Sequence, residues 1–405
     1  MTGPLTGIRV LDLGQYIAGP CAAQVLGDLG AEVLKVESLR GDQARHIGPF
    51  GEAMVQAYNR DKRSIALDLR DPGGRHVLHR LLGTADVLVQ NFRPGSAEQL
   101  GIDAETLRRE FPRLICASVT GFGSRGPSRE RPGLDIAAQA EYGLMHATGA
   151  ADGEPQRVGF PVADVTAANA LATGVLAALF ERERSGRGAH VETSLLEAVI
   201  SAQAATWGEY VLTGTAPRRK GNGQVNAAPA ADVLVLTDGA IVLSAYTAEK
   251  WVALCELVGR PDMVEDPRFA DNPARVRNRP EMLAALRSAF AGMTREQAIT
   301  ALRSAGIVCG AVRSFDEVAA DADVACSNVM VDVTDRSGRR VTSPGTAFTL
   351  DGLRRTASAA APAVGADTAD VLRELGYPDE AISDLTTRRV VGAPTARPDE
   401  RRAPR

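Results

Sequence analysis

Gly159-Phe160-Pro161-Val162-Ala163-Asp164 is the stretch with the clearest chemical potential. It sets one carboxylate between a loop and a long apolar run. From Val165 to Phe180 that run carries Ala168, Leu171, Val175, Leu176, Leu179 and Phe180 at mostly helical spacing. Read locally, Asp164 is a helix N-cap whose oxygen accepts a hydrogen bond from an orphan backbone N–H. A helix N-terminus also favours an ionised carboxylate. A carboxylate that must stay charged to attack an acyl carbon suits the same place.

Other residue types supply no comparable centre. The histidines (His46, His76, His79, His146, His190) include no H-E-x-x-H, and His76 and His79, three apart among charged residues, read as surface. Cys21, Cys116, Cys255, Cys309 and Cys326 lie far apart without a C-x-x-C pair. They read as reduced thiols of a cytoplasmic protein and give no disulfide frame or zinc site. Gly14-Gln-Tyr-Ile-Ala-Gly19 departs from G-x-G-x-x-G, and no G-x-x-x-x-G-K-[ST] occurs, so dinucleotide and P-loop chemistry are both unsupported. The Gly/Pro/Arg-rich loop 120–135 fits phosphate contact or solvated charge.

The elements that must position Asp164 follow from apolar patterning. Residues 8–13 read as a buried strand, 20–29 as a helix opened by Pro20 and stopped at Gly30, and 32–36 as a second strand. Strand, helix, strand in about 30 residues implies a parallel sheet. The pattern repeats through strands at 64–69, 85–89 and 114–119. Loops 14–19, 37–46, 91–95 and 120–135 then fall at the carboxyl edge, where open α/β sheets bind ligands. A helix from Ile136 to His146, a strand from His190 to Leu195 and a helical segment from 196 to 212 complete a large Rossmann-like unit, 1–212. A linker or mobile loop (213–231), a smaller α/β unit (232–328), a segment returning to the large unit (329–391) and a disordered tail (392–405) follow.

Composition narrows the class. The chain has 405 residues, 44% hydrophobic and 24% charged, with a net charge of −4. That is ordinary for a soluble globular protein and argues for neither nucleic-acid nor membrane binding. No run of about 18 apolar residues is seen, so no membrane-spanning helix is expected, and the N-terminus has no signal-peptide pattern.

Several motifs stand in order along the chain: Gly7-Ile-Arg-Val-Leu-Asp12, Ala18-Gly-Pro20, Leu26 to Glu37, Asn59 to Leu69, Asp86 to Gly95, Arg131-Pro-Gly-Leu-Asp135, Asp164, Arg184 to Gly188, Gly221 to Pro229 and Pro362 to Gly376. Together they resemble the class III CoA-transferases (CaiB/BaiF), a family that includes formyl-CoA and carnitinyl-CoA transferases and α-methylacyl-CoA racemases. The resemblance covers about residues 5–385. It implies a large Rossmann-like CoA-binding domain, a small domain and two chains interlocked as a homodimer. It implies an acyl-CoA and a carboxylic acid as substrates, CoA entering as part of the substrate, with no permanently bound cofactor and no metal.

The resemblance also assigns residues. Asp164 matches the catalytic aspartate, which passes through an aspartyl anhydride and an aspartyl-CoA thioester. CoA binding falls to Tyr16, Ile17 and Ala18, to Leu67 and Arg70, to Asn91, Phe92 and Arg93, and to Arg131. Gly221, Asn222, Gly223 and Gln224 stand near the mobile loop that in formyl-CoA transferase carries consecutive glycines; here there are only two. Ile17 replaces that enzyme's catalytic glutamine, which points to a larger or more apolar acyl group than formyl. In the racemases a histidine precedes the aspartate matching Asp135; here Leu134 stands there and cannot take a proton. Racemase activity and CoA-ester binding without turnover are the alternatives.

Overall fold

The computed structural model describes residues 3–224, 228–335, 338–355 and 357–392. The strands, in chain order, are β1 (Arg9–Asp12), β2 (Glu32–Glu37), β3 (Arg63–Leu67), β4 (Val87–Gln90), β5 (Ile115–Thr120), β6 (His190–Ser194), β7 (Asp232–Leu236), β8 (Gly239–Ser244), β9 (Val308–Ala311), β10 (Met330–Thr334), β11 (Arg340–Pro344) and β12 (Val391–Gly392). The first five are mostly buried along their length, as strands under helices must be, although Asp12, Lys35, Glu37 and Ser64 are buried among their apolar residues.

One sheet runs β12-β3-β2-β1-β4-β5-β6. Strands β1 to β6 pair in parallel, and β12 pairs antiparallel with β3. The strand order reverses at β1, so the carboxyl ends of β1, β2 and β4 flank the crevice where such sheets take ligands. A large parallel-sheet core with smaller sheets is the expected α/β class, and the strand order is Rossmann-like.

Two compact units are formed: Met1–Tyr142, Gly159–Trp207 and Asp323–Arg405, so far as described, and Gly143–Val158 with Gly208–Ala322. The first holds the seven-stranded sheet and the β10-β11 ribbon, around a core that includes Ile65, Leu67, Val77, Leu88 and Leu114. The second folds β7-β8-β9 against helices, with Trp251, Leu254, Leu286 and Phe290 at its centre. The tail expected to be disordered lies, from residue 393 on, outside the described residues.

Several elements differ from expectation. The helix read from Ile136 to His146 is two, Asp135–Glu141 and Leu144–Ala147, split at Gly143, whose φ of +87° helical backbone does not tolerate. The segment 196–212 is likewise divided into Leu195–Ala202 and Ala204–Thr213. The helix Gly48–Tyr58 went unread because it opens on Gly-Pro-Phe-Gly, a turn-like sequence. Val162–Ser185, a helix of 24 residues with an 18-residue window of mean hydropathy 1.5, is long and apolar enough to cross a membrane, contrary to expectation. Here it is a core helix: Ala167, Ala168, Leu171 and Val175 are fully buried, and it packs on the Ala18–Asp28 helix and on β5 and β6.

Candidate active site

Asp164 is not the N-cap of its helix. Val162–Ser185 begins two residues before it, Pro161 occupies the cap position, and no local side chain caps the turn. The acceptor comes from 28 residues upstream. Asp135 Oδ1 accepts the N–H of Ala163 at 2.7 Å and, more weakly, that of Asp164 at 3.4 Å. Asp135 Oδ2 is held by the Gln139 amide at 2.6 Å, one turn along its own helix. Asp164 is thereby released from capping: among the described residues its carboxylate has no hydrogen-bond partner. Burial, then the nearby charge of Asp135, pushes its pKa up to about 7.

Asp164 opens into a cavity of about 390 Å³ in the first unit. The walls include Tyr16, Ile17, Ala18, Asn91, Phe92, Arg93 and Arg131, together with Leu134 and Leu195. A second cavity of about 410 Å³ adjoins it, sharing Gln15 and Phe92, and is lined by Leu67, Arg70, Glu37, Arg40 and Asp68 among others. Both lie at the carboxyl ends of the parallel strands. The expected CoA-contacting residues are thus divided between two adjoining spaces. Gly221, Asn222, Gly223 and Gln224 belong to the second unit, where Gly221 donates its N–H to Gly149 O at 3.0 Å and Gln224 bridges to Ala228.

The arginines are in different states. Arg93 is exposed, and its guanidinium has no partner among the described residues. Arg131 is already held by Glu141 at 2.6 and 3.0 Å and lies 4.5 Å from the centre of the Phe122 ring. Among the described residues the Arg70 guanidinium reaches only Asp68, at 3.0 and 3.1 Å, and it is exposed.

The wall at residues 15–18 rests on a buried polar network that sequence patterning did not reveal. Asn91 Oδ1 accepts the Gln15 N–H at 2.9 Å while its amide donates to Gln15 O at 2.8 Å. Asp42 Oδ1 accepts the Tyr16 N–H at 3.1 Å, and the Tyr16 hydroxyl donates to Gln43 Oε1 at 2.7 Å. These bonds hold Tyr16 at a φ of +61°, a conformation a bulky side chain adopts only when its surroundings fix it. Beneath them, Lys62 Nζ donates to Asp12 Oδ2 (2.7 Å), Pro20 O (2.9 Å) and Asn59 Oδ1 (3.0 Å). Lys35 Nζ donates to Gly14 O at 2.8 Å and pairs with Asp42 at 3.2 Å. Burial brings the Lys62 ammonium down to about 8 against the attraction of Asp12. Burial also pushes the Asp12 carboxyl up, but Lys35 and Lys62 outweigh it and hold it below the usual carboxylate range.

Comparison with known proteins defines the class. The family model for CoA-transferase family III matches residues 5–368, and the chain belongs to that family. It is 34% identical over 383 residues to a succinate–glutarate CoA-transferase of Agrobacterium fabrum, covering 92% of this chain and 96% of that one. It is 38% identical over 332 residues to a probable fatty acyl-CoA transferase of Mycobacterium tuberculosis, covering 78% of this chain and 84% of the relative. A crystal structure of a CaiB/BaiF family protein from Brucella suis superposes with a TM-score of 0.84 at 33% identity, covering 93% of this chain and all of the other.

Proposed function

We propose that the chain moves CoA from an acyl-CoA thioester to a free carboxylic acid, with Asp164 as the nucleophile. The observation that carries this is an unbonded, mostly buried carboxylate opening into a cavity walled by a rigid loop. An Asp164 oxygen attacks the thioester carbonyl; a C–O bond forms, the C–S bond breaks, and the thiolate leaves with the electron pair. The thiolate then attacks Asp164 Cγ, displacing the first acid and leaving an aspartyl-CoA thioester. The acceptor carboxylate reverses both steps. The thioester's energy is kept in covalent form throughout.

Each tetrahedral intermediate carries an oxyanion. Ala18, in the cavity wall, opens the Ala18–Asp28 helix, whose first N–H groups have no intrahelical acceptor. Those donors are suited to the developing charge. The unpartnered Arg93 is suited to a CoA phosphate, and the adjoining cavity, with Arg40 and Arg70 at its wall, to the nucleotide end. Ile17, Leu134 and Leu195 give the reacting end an apolar wall, which favours an acyl group larger than formyl. The working form would be a cytoplasmic homodimer, which rests on the family resemblance. Leu134 leaves no second base for racemisation at its position.

Peptide mapping after incubation with a panel of acyl-CoAs and a hydroxylamine quench tests the reading. A hydroxamate at Asp164, lost in Asp164→Ala with CoA binding retained, is the expected result. CoA binding without any adduct would leave a CoA-ester-binding protein instead.

A further inference from the structure

Among the described residues, Asp135 makes the side-chain hydrogen bonds that tie the nucleophile's turn to another element, and it does so with a carboxylate. Its Oδ1 accepts the N–H of Ala163 and, at longer range, that of Asp164 itself. Its other oxygen is fixed by Gln139. A serine or asparagine would cap as well. An aspartate adds a negative charge beside a group that is itself a carboxylate, which helix capping alone does not require.

We propose that Asp135 is the positioning residue of this site: it holds the turn that carries Asp164 and, by its like charge, favours the uncharged covalent forms of Asp164 over the free carboxylate. The second half rests on Asp164 being the nucleophile. When Asp164 attacks a thioester, its charge passes to the departing thiolate, and the anhydride or thioester left on the side chain is neutral. Repulsion by Asp135 is present before that step and absent after it. The same repulsion, with burial, makes the carboxylate keep its proton more tightly. Protonation and acylation both discharge Asp164, so one electrostatic difference governs both.

The surroundings support the assignment to Asp135. Cys21 on the Ala18–Asp28 helix and Tyr58 on the Gly48–Tyr58 helix also feel the Asp164 charge. Burial pushes the thiol up to about 11 and the phenol up to about 12, so both are neutral at working pH. Arg93 and Arg131 line the same cavity, but Arg131 is turned to Glu141. Among the described residues, Asp135 is the charged group that acts on Asp164.

The test uses the full chain labelled with ¹³C at aspartate Cγ, the Asp164 signal being assigned by its loss in Asp164→Asn. Asp135→Asn keeps an acceptor for Ala163 and removes the charge; Asp135→Ala removes both. The expected result is a lower Asp164 titration midpoint in both variants, with thermal stability kept in Asp135→Asn and reduced in Asp135→Ala. With succinyl-CoA as the probe, well above that midpoint, the equilibrium yield of Asp164 hydroxamate relative to unmodified enzyme falls in Asp135→Asn by the factor the midpoint shift sets, tenfold for each pH unit. An unchanged or raised midpoint in both variants overturns the proposal. A lowered midpoint with unchanged adduct yield overturns its covalent half. A shifted midpoint in a protein that no acyl-CoA labels upholds the electrostatic role of Asp135 and overturns the transferase reading instead.

Discussion

Asp164 binds its proton more tightly in the folded chain than in the unfolded one, because burial and Asp135 raise its pKa from 3.8 to about 7. The sign of the linkage follows. The folded state gains from the protonated form below 3.8, and that gain is lost as pH rises through 7. Asp164→Asn removes the charge that must otherwise be buried. The variant should therefore be more stable than the wild type above neutral pH by about 1–4 kcal/mol, the two converging in acid. Urea unfolding across the pH range checks this, and a wild type equally stable at high pH would contradict it. A second consequence is kinetic: with Asp164 as the proposed nucleophile, only its ionised form would attack, so the acid limb of kcat/KM for transfer should fall near pH 7, and initial rates across pH would locate it. Asp164 was legible as a singular carboxylate at a helix start. Its freedom from capping was not, because the group that relieves it stands 28 residues away and no local pattern names it.

Among the elements, the loop after β1 is the part most dependent on distant support. Lys62 reaches across 50 residues to Asp12 and across 42 to Pro20, joining the end of β1 to the start of the next helix. Lys62→Met should leave Asp12 buried beside Lys35 alone and cost about 3–5 kcal/mol, the usual loss when one partner of a buried pair is removed. Denaturant midpoints read the loss, and CoA affinity should fall with it as the 15–18 wall relaxes. Gly121 and Gly133 supply another such support. A Cβ on Gly121 would stand 2.5 Å from Gly133 Cα, so the end of β5 and the approach to Asp135 touch backbone to backbone. Gly133→Ala should displace Leu134 and Asp135 and lower the rate of Asp164 labelling by acyl-CoA while most of the fold persists by circular dichroism. The buried strands of the large sheet were readable from their apolar runs. The Asn91–Gln15 clamp, formed across 76 residues, was not, because side-chain hydrogen bonds of that separation leave no periodicity.

At the scale of the molecule, the first unit is closed by residues from the far end of the chain. Asp367 accepts the Ser64 N–H through Oδ2 at 2.8 Å and donates its own N–H to Ser64 O at 2.9 Å. β12 then covers the edge of β3. A chain cut before Ala366 should expose that edge and be recovered as aggregate, which size-exclusion chromatography would show; a monodisperse truncated protein would contradict it. The α/β class could be anticipated from the alternating elements. The pairing of so short a strand as Val391–Gly392 could not, since two residues carry no pattern.

That closure sets an order on manufacture. The Ala66 N–H, on β3, donates to the Thr368 side-chain hydroxyl, 302 residues further along the chain. During synthesis from the N-terminus, β3 emerges early and waits for its cover while the whole of the second unit is translated, a delay of about 15–60 s at ordinary elongation rates. The floor of the adjoining cavity, at Leu67 to Arg70, is therefore completed among the last events of translation. A nascent chain released early would carry Asp164 and most of its surroundings yet lack a finished edge at β3.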